Sequence, residues 1–178
     1  MGAYRDELVR AMTYLGSRSD TVFVGQAVEV PGTAMYGTLE GVDPAKRVEF
    51  PVEEDFQMGC SIGLALQGSL PVSIFPRWNF FLLAVNQLVN HLDKLGELMG
   101  QQPPKVIIRT GIGSERPMYP GPQHTGDFTE AFRLMAPHVD IVRLDEADAI
   151  FPAYVNAAER TDGVSTILVE WGDFYQEK

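Results

Sequence analysis

The sequence predicts an α/β protein of three layers, in which a mainly parallel β-sheet is flanked by helices. Short runs rich in valine and isoleucine alternate along the chain with longer segments of helical periodicity. Such an alternation builds βαβ units whose sheet is covered on both faces. A length of 178 residues corresponds to one ordinary domain, which buries roughly two-thirds of its unfolded surface. We therefore expect a single domain over residues 1–178.

The amino-terminal half is predicted to contain two helices and three strands. Leu8, Met12 and Leu15 recur at helical spacing and predict an amphipathic helix over residues 4–17. Runs of β-branched and aromatic residues predict strands at 21–24, 47–50 and 70–75. The glycine- and proline-rich residues 28–43 predict a loop at the surface or at the rim of a site.

The second helix, predicted over residues 54–67, contains Gly59 and Gly63 and is followed by Gly68. Glycine inside a helix costs about 1 kcal/mol relative to alanine. Close approach of another backbone usually compensates for this cost. We therefore expect a neighbouring helix or another subunit to pack against this helix.

The carboxy-terminal half begins with a long apolar segment that predicts a helix over residues 78–99. Its apolar residues occupy more than one face, so burial on two sides, and hence oligomerisation, is expected. The pattern then predicts strands at 105–109, 139–144 and 165–170, and helices at 127–135 and 145–160. The loop at 110–125 contains His124 and is long for a compact domain, which favours a functional or a disordered segment.

Composition excludes some partners. The formal net charge is −10, from 14 basic and 24 acidic residues, which argues against nucleic acid or an anionic membrane as the main partner. Cys60 is the single cysteine, which indicates a reducing compartment. The first residues lack the apolar core of a signal peptide, and no apolar run reaches the roughly 18 residues of a membrane span. A cytoplasmic, soluble protein is expected.

Several common catalytic motifs are absent or misplaced. The three histidines, His91, His124 and His138, lack metal-ligand spacing, and neither glycine-rich phosphate motif occurs. Ser61 lies in a Gly-x-Ser-x-Gly match, but a nucleophile elbow needs that serine on a sharp turn straight after a strand. Here the match falls within a predicted helix, which indicates a chance occurrence. For Cys60, in the same helix, a buried inert thiol is favoured over a nucleophile.

Glu54, Phe80 and His124 are each predicted just beyond the carboxyl end of a strand. Open α/β sheets bind ligands at that edge, so these residues form a candidate site. Each also has a structural interpretation. Glu53, Glu54 and Asp55 all suit a surface role that stabilises the helix dipole, Phe80 suits a core position, and His124 suits an exposed loop.

A longer pattern, collinear over residues 22–126, resembles a known family. Its pieces, in chain order, are Phe23-Val24-Gly25, Arg47-Val48, Pro51-Val52-Glu53-Glu54, Gly59 with Gly63, Ala65 and Gly68, Pro71-Val72, Trp78-Asn79-Phe80, residues 84–90, Arg109 with Gly111, and Gln123-His124-Thr125. The order of the pieces makes the match specific. On these residues the segment resembles the pyrimidine-binding domain of the β subunit of 2-oxo acid dehydrogenase first components (pyruvate and branched-chain types), which are transketolase-like thiamine-diphosphate enzymes.

The resemblance implies a thiamine-diphosphate-binding fold and a role for each matching residue. Glu54 matches the glutamate that hydrogen-bonds N1′ of the aminopyrimidine, and Phe80 matches the aromatic residue that packs on that ring. Val52 matches the apolar residue beside the cofactor, and Gln26 takes the place of an acid near the pyrimidine. His124 matches the histidine that serves the substrate or the acyl acceptor. Glu54 and His124 are thus expected to be catalytic, and Val52, Glu54, Phe80 and Gln26 to bind cofactor.

The sequence departs from the family pattern in several places. Gln26 stands where an acid is usual, Glu53 adds an acid beside Glu54, and the loop over residues 28–46 is shorter than usual. The chain stops at Lys178, so a carboxy-terminal transketolase domain is expected to be absent. The Gly-Asp-Gly…Asn signature for Mg²⁺ and diphosphate is missing, as in β-type chains. The resemblance therefore implies an α-type partner subunit that supplies that site, a heterotetramer, and a lipoyl or acyl-carrier domain as a possible further partner.

Two classes of function follow from these observations. In the first, the chain is the β-type subunit of a split enzyme that cleaves a bond next to a carbonyl, either by 2-oxo acid decarboxylation with acyl transfer or by transketolase-like two-carbon transfer. In the second, it is a non-catalytic scaffold or regulatory subunit. The missing acid at Gln26 favours the second class. The joint presence of Glu54, Phe80 and His124 favours the first.

Overall fold

The sheet has six strands, all parallel, in a computed structural model that describes residues 3–116 and 118–176. Its strands are Thr21–Gly25 (β1), Arg47–Glu49 (β2), Leu70–Ile74 (β3), Ile107–Ile112 (β4), Asp140–Leu144 (β5) and Thr166–Trp171 (β6). Their order across the sheet is β2-β1-β3-β4-β6-β5. The predicted parallel sheet is confirmed.

Helices connect the strands and cover the sheet. They are Ala3–Ser17 (α1), Glu54–Leu66 (α2), Trp78–Phe81 (α3), Leu95–Met99 (α4), Thr129–Met135 (α5) and Ala147–Glu159 (α6). Single 3₁₀ turns occur at Tyr36–Leu39, Pro44–Lys46, Leu82–Ala84, Pro122–His124 and Gly172–Gln176. Among the described residues, no helix combines the length and the hydropathy that crossing a membrane requires.

The two faces of the sheet support separate hydrophobic cores. Leu8 of α1 and Tyr154 of α6 pack on one face, and Phe81 of α3 and Phe132 of α5 pack on the other. Neighbouring residues of β4 serve opposite faces: Ile107 joins the first core and Ile108 the second. Side chains alternate along a strand in this way, so strands buried on both faces become apolar throughout. The three-layer prediction is therefore confirmed.

The prediction of one regular helix over residues 78–99 is wrong. The segment starts as α3, tightens into the 3₁₀ turn Leu82–Ala84, widens into a π-helix at Gln87–Leu92, and ends as α4. Buried Ala84, Leu88 and Leu92 are spaced by four residues. In a regular α-helix, the direction of the side chain rotates by about 40° over each such step. The wider π turn keeps these side chains on one face.

Burial of this segment on two sides is also not observed within the chain. Trp78, Phe81 and Leu88 face the core, whereas Leu83 on the opposite face is 65% exposed. The second apolar face is therefore open to solvent in the isolated chain.

The two glycines of α2 have different surroundings. A Cβ atom at Gly59 would meet the side chain of Gln87 at 3.7 Å, and one at Gly63 would meet no described atom within 4 Å. The helical segment over residues 82–92 packs against α2, so a neighbouring helix is present as expected, although at Gly59 a side chain rather than a backbone makes the contact. The alternative, another subunit, stays a prediction.

Two loop predictions also need correction. Strand β4 extends to Ile112, three residues into the predicted loop, because its pairing with β6 continues to Trp171. The segment 28–43, predicted to lie at the surface or at the rim of a site, has many exposed residues, and its residues 32–35 line a cavity, but Val28, Met35 and Leu39 are buried in the first core.

Candidate functional site

The candidate residues follow four neighbouring strands at the carboxyl edge of the sheet and form two contacting pairs, Gln26 with Glu54 and Phe80 with His124. Glu54 follows β2, Gln26 follows β1, Phe80 follows β3 and His124 follows β4. Because these four strands are neighbours in the order β2-β1-β3-β4, the residues are brought to the same edge. This is the edge at which open α/β sheets bind ligands.

The structure separates the three consecutive acids at the start of α2. Glu53 is exposed and occupies the N-cap position without a side-chain capping bond. Asp55 accepts a hydrogen bond from Nε2 of Gln87 at 3.2 Å. Glu54 is only 4% exposed. A surface role at the helix terminus therefore suits Glu53 and does not suit Glu54.

Glu54 has one hydrogen-bond partner within the described part of the chain. Nε2 of Gln26 donates to its Oε1 at 3.3 Å, and no described residue donates to Oε2. Glutamate is rarely this buried unless it is paired. Oε2 is not among the fully buried atoms that have no partner, so it keeps access to solvent and is available to a donor from a ligand.

A buried polar network fastens α2, and with it Glu54, to β3. Nε2 of Gln57 donates to Oγ of Ser73 at 3.1 Å and to the carbonyl of Ile74 at 3.0 Å. Oγ of Ser61 bonds the carbonyl of Gln57 at 2.9 Å and Oγ of Ser73 at 3.0 Å. Because Gln57 lies one turn after Glu54, these bonds hold the start of the helix in place.

The same network bears on the Gly-x-Ser-x-Gly match. Ser61 is buried in the middle of α2 with its hydroxyl bonded to neighbouring protein groups, so the interpretation of a chance match is confirmed. Cys60 is half-buried rather than buried, because it lies on the face of α2 that looks away from the sheet.

Glu49, at the end of β2, holds the turn that carries Gln26. Its carboxylate accepts hydrogen bonds from the backbone N–H groups of Ala27 at 2.6 Å, Val28 at 2.8 Å and Glu29 at 2.8 Å. Ala27 has φ +55°, which is uncommon for a residue with a side chain. Burial raises the pKa of Glu49, but the backbone N–H donors outweigh burial and lower it below its usual range.

Sequence reasoning missed Glu49. The available signal was an acid near the end of the short strand predicted at 47–50, since the backbone N–H groups of a nearby loop need acceptors.

A close approach of strands explains the glycine before Gln26. A Cβ atom at Gly25 would lie 2.6 Å from the carbonyl oxygen of Ile74 on β3, a distance that real Cβ contacts do not reach. Glycine lets the end of β1 stay against β3 and places Gln26 next to Glu54.

Phe80 and His124 form the second pair of the site. Their ring centroids lie 5.6 Å apart with the planes inclined by 60°, the edge-to-face arrangement that aromatic rings favour. Phe80 is half-buried, so its alternative interpretation as a core residue is not observed. Nδ1 of His124 is buried and has no hydrogen-bond partner among the described residues. Buried polar atoms are normally satisfied, so this nitrogen suits a polar ligand or an ordered water.

Arg77 fixes the loop that presents His124. Its Nη1 donates to the carbonyl of His124 at 2.7 Å and to that of Gly113 at 3.2 Å. Burial lowers the pKa of Arg77 below its usual range, and the more distant Asp173 offsets part of this effect.

A cavity of about 470 Å³ opens beside Phe80, within the size range of small-molecule sites. It lies over the carboxyl ends of β3, β4 and β6. Its wall is formed by residues of four loops, including Met35, Arg77, Phe80, Ser114, Arg116 and Met118.

Val52 lies apart from the other predicted residues. Its side chain is 80% exposed, in the short link between β2 and α2. Its predicted contact with a cofactor stays a prediction. No group of three or more His, Cys, Asp or Glu side chains that could hold a metal ion occurs over residues 3–116 and 118–176.

Comparison with known proteins supports the fold alone. No protein-family model and no curated protein matches the sequence. Among solved structures, one similar chain is described as a split gene transketolase, inactive beta4 tetramer. It superposes with a TM-score of 0.70 at 18% identity over 94% of the present chain and 51% of the transketolase chain. The present chain thus has the fold of about half of a split transketolase chain.

Proposed function

We propose that this chain is the β-type, pyrimidine-binding subunit of a split thiamine-diphosphate enzyme. The reaction is cleavage of a bond next to a carbonyl, as 2-oxo acid decarboxylation with acyl transfer. The observation that carries the proposal is the buried carboxylate of Glu54, whose Oε2 has no partner among the described residues. Phe80 and His124 lie at the same edge of the sheet.

These residues fit the aminopyrimidine end of the cofactor. A carboxylic acid in a dry cleft can share a proton with a ring nitrogen, and Oε2 of Glu54 would hold that proton against N1′. Half-buried Phe80 offers an aromatic surface on which a heteroaromatic ring can pack. Gln26 orients the carboxyl group through Oε1. When bound, thiamine diphosphate supplies the carbanion chemistry that the side chains lack.

His124 suits a role toward the substrate or the acyl acceptor. Its unpartnered Nδ1 can exchange a hydrogen bond with a polar ligand. The hydrogen bond that Arg77 donates to its backbone carbonyl keeps the ring near Phe80.

The diphosphate and Mg²⁺ belong to an α-type partner in this proposal. The sequence contains no Gly-Asp-Gly…Asn signature, and the described part of the chain offers no metal cluster. The structural neighbour is itself described as an inactive tetramer of β chains, which supports a subunit that needs a partner. Gly63 of α2, which no described residue covers, and exposed Leu83 are surfaces for assembly into a heterotetramer.

Two-carbon transfer between sugars is the second candidate reaction, because the structural neighbour is described as a transketolase. The same subunit role and the same residues serve both reactions. Substrate trials distinguish them.

The direct test is turnover by the complex that co-purifies with this chain. Carbon-dioxide release and ketol transfer are measured over a panel of 2-oxo acids and ketose phosphates, for wild type, Glu54→Gln and Glu53→Gln. Glu54→Gln should lose at least about 100-fold in kcat, since general acid–base groups contribute about 10²–10⁴-fold. Exposed Glu53 is the matched control and should stay close to wild type.

Near-wild-type turnover by Glu54→Gln would contradict the proposed role of Glu54. A complex that neither binds thiamine diphosphate nor turns over any substrate would favour the non-catalytic scaffold.

A further inference from the structure

We propose that Asp173 is a positioning residue of the candidate site. Its carboxylate holds the backbone of residues 113–116, and through Arg77 this segment sets the position of His124. Asp173 thus acts through hydrogen bonds to the backbone and not through contact with a ligand. The inference rests on the proposed function, because it adds a residue to the same site.

The Asp173 carboxylate binds two consecutive backbone donors just after β4. Its Oδ1 accepts hydrogen bonds from the N–H groups of Glu115 at 2.9 Å and of Arg116 at 3.0 Å. Nε of Arg116 lies 3.7 Å from the same oxygen, and the Asp173 side chain is 13% exposed. Hydrogen bonds from N–H groups to an ionised carboxylate are stronger than those between neutral groups. Asp173 therefore fixes the backbone at the point where the chain leaves β4.

The backbone of this segment has a conformation that needs such a partner. Gly113 has φ +67° and Ser114 has φ +60°, and this left-handed region is uncommon for a residue with a side chain. A Cβ atom at Gly113 would lie 2.6 Å from Oδ2 of Asp173, so glycine is required for the segment to lie this close to the carboxylate. Strained backbone persists only where the surrounding structure determines it. The contact with Asp173 is such a determinant.

The turn that presents Asp173 is itself fastened to the core. Tyr175 donates a hydrogen bond to the carboxylate of Glu170 on β6, and the Glu170 side chain is fully buried. The ring of Phe174 packs edge-to-face on Tyr4 of α1, with centroids 5.4 Å apart. The two residues that follow Asp173 are therefore anchored. A carboxylate held in this way has a fixed position from which it can hold a loop.

Arg77 joins this segment to His124. Its Nη1 donates to the carbonyl of Gly113 at 3.2 Å and to the carbonyl of His124 at 2.7 Å. The ring of His124 in turn packs against Phe80. If the Gly113 carbonyl moves, Arg77 loses one of its two backbone acceptors and constrains His124 less. Release of the segment from Asp173 should therefore loosen the contact between His124 and Phe80.

Asp173 also acts on Arg77 by its charge, and the two effects can be separated. Burial lowers the pKa of Arg77, and the negative charge of Asp173 raises it. Asparagine keeps a carbonyl oxygen that can accept both backbone hydrogen bonds, but it removes the charge. Asp173→Asn therefore retains the proposed positioning, whereas Asp173→Ala removes it.

Nuclear magnetic resonance of the full chain without cofactor tests the inference independently of catalysis. An aromatic ring shifts the resonances of protons held close to it, so the change that Phe80→Leu causes in the imidazole proton shifts of His124 measures their contact. His124→Gln assigns these signals among the three histidines. Asp173→Ala should reduce the change by at least about half, as coupled residues do in a double-mutant cycle. Asp173→Asn should retain it.

Asp43→Ala is the matched control for this measurement. Asp43 also accepts a hydrogen bond from a backbone N–H, that of Ala45 at 2.9 Å, but it lies in the turn before β2. Its replacement should leave the contact between His124 and Phe80 unchanged. Thermal denaturation verifies that each variant is folded. If Asp173→Ala does not fold, Asp173→Glu carries the test, because the extra methylene moves the carboxylate from its two donors and should still weaken the contact.

Turnover and cofactor binding by the co-purified complex add a functional measurement. Asp173→Ala should lower kcat/KM by about 10- to 100-fold, since a small misplacement in an active site can cost this much. The affinity for thiamine diphosphate should stay unchanged, because it depends on Glu54 and not on the loop of His124. Asp173→Asn should restore most of the turnover. General damage to the fold would instead lower turnover and cofactor affinity together.

The inference is overturned if Asp173→Ala leaves the contact between His124 and Phe80 intact, if Asp173→Asn loses it as alanine does, or if cofactor affinity falls together with turnover. A wild-type complex without turnover would contradict the proposed function instead. The resonance measurement would then still decide whether Asp173 positions His124.

Discussion

Replacing Glu170 by glutamine tests the buried ion pair between Arg109 and Glu170, which supports the candidate site. Nε and Nη2 of Arg109 donate to the two carboxylate oxygens of Glu170 at 2.7 and 2.9 Å, and both side chains are 0% exposed. Tyr154 and Tyr175 also donate to this carboxylate. Nη2 of Arg109 further donates to Oγ1 of Thr38 at 3.1 Å. The pair thus joins β4 and β6 to the loops around the cavity.

The magnitude follows from burial. In the wild type, burial lowers the pKa of Arg109, but the nearby Glu170 outweighs burial and holds that pKa well above its usual range. Arginine keeps its proton in proteins even without such a partner, so the variant leaves a charged, buried guanidinium unpaired. Leaving one member of a buried ion pair without its partner costs about 3–5 kcal/mol. For a chain of this size, each kcal/mol lowers Tm by about 2–4 °C. We therefore expect Glu170→Gln to lower Tm by roughly 6–20 °C.

Circular dichroism during heating measures this change. Glu7→Gln is the matched control, because Glu7 pairs with Arg10 at the surface and exposed pairs contribute about 0–1 kcal/mol. The double variant Arg109→Met, Glu170→Gln should recover part of the loss, since it removes the unpaired charge. A Tm shift for Glu170→Gln no larger than that of Glu7→Gln would refute the reasoning.

Two further predictions concern the elements that carry the site. The pKa of Glu49 is lowered in the folded state, so its contribution is present above the unfolded pKa of about 4.3 and is lost as pH falls through the folded value. Glu49→Gln should therefore cost about 1 kcal/mol at neutral pH and less near pH 3, and urea midpoints at the two pH values measure the difference. An equal cost at both would contradict the assigned hydrogen bonds. Gly63→Ala should stabilise the isolated chain by about 0.5–1 kcal/mol, because a Cβ there meets no described atom within 4 Å and alanine favours a helix. If another subunit packs on α2, the same change should weaken assembly in sedimentation experiments, and unchanged assembly would argue against that interface.

The parallel sheet could be predicted because its central strands are buried on both faces and are therefore mostly apolar. The boundaries of the central strands β1 and β3 agree closely with the prediction for that reason. The long helix at 78–99 could not be predicted in detail. Its 3₁₀ and π turns depend on which face of the helix, here the one with Leu88 and Leu92, packs against the core. Local periodicity contains no such information.

The candidate site was predictable in its position and not in its supports. Glu54, Gln26, Phe80 and His124 follow adjacent strands, so topology alone brings them to one edge. Glu49 and Arg77 act through hydrogen bonds to backbone groups more than 20 residues away. Such contacts depend on loop conformation and leave no periodic pattern in the sequence.

In the proposed function, Glu54 bonds N1′ of the aminopyrimidine of thiamine diphosphate. The most direct measurement is calorimetric binding, in the co-purified complex with Mg²⁺, of thiamine diphosphate and of an analogue in which N1′ is replaced by C–H. Wild type and Glu53→Gln should bind the cofactor at least about tenfold more tightly than the analogue. Glu54→Gln should lose most of that difference. A preference for N1′ that survives intact in Glu54→Gln would contradict the claim.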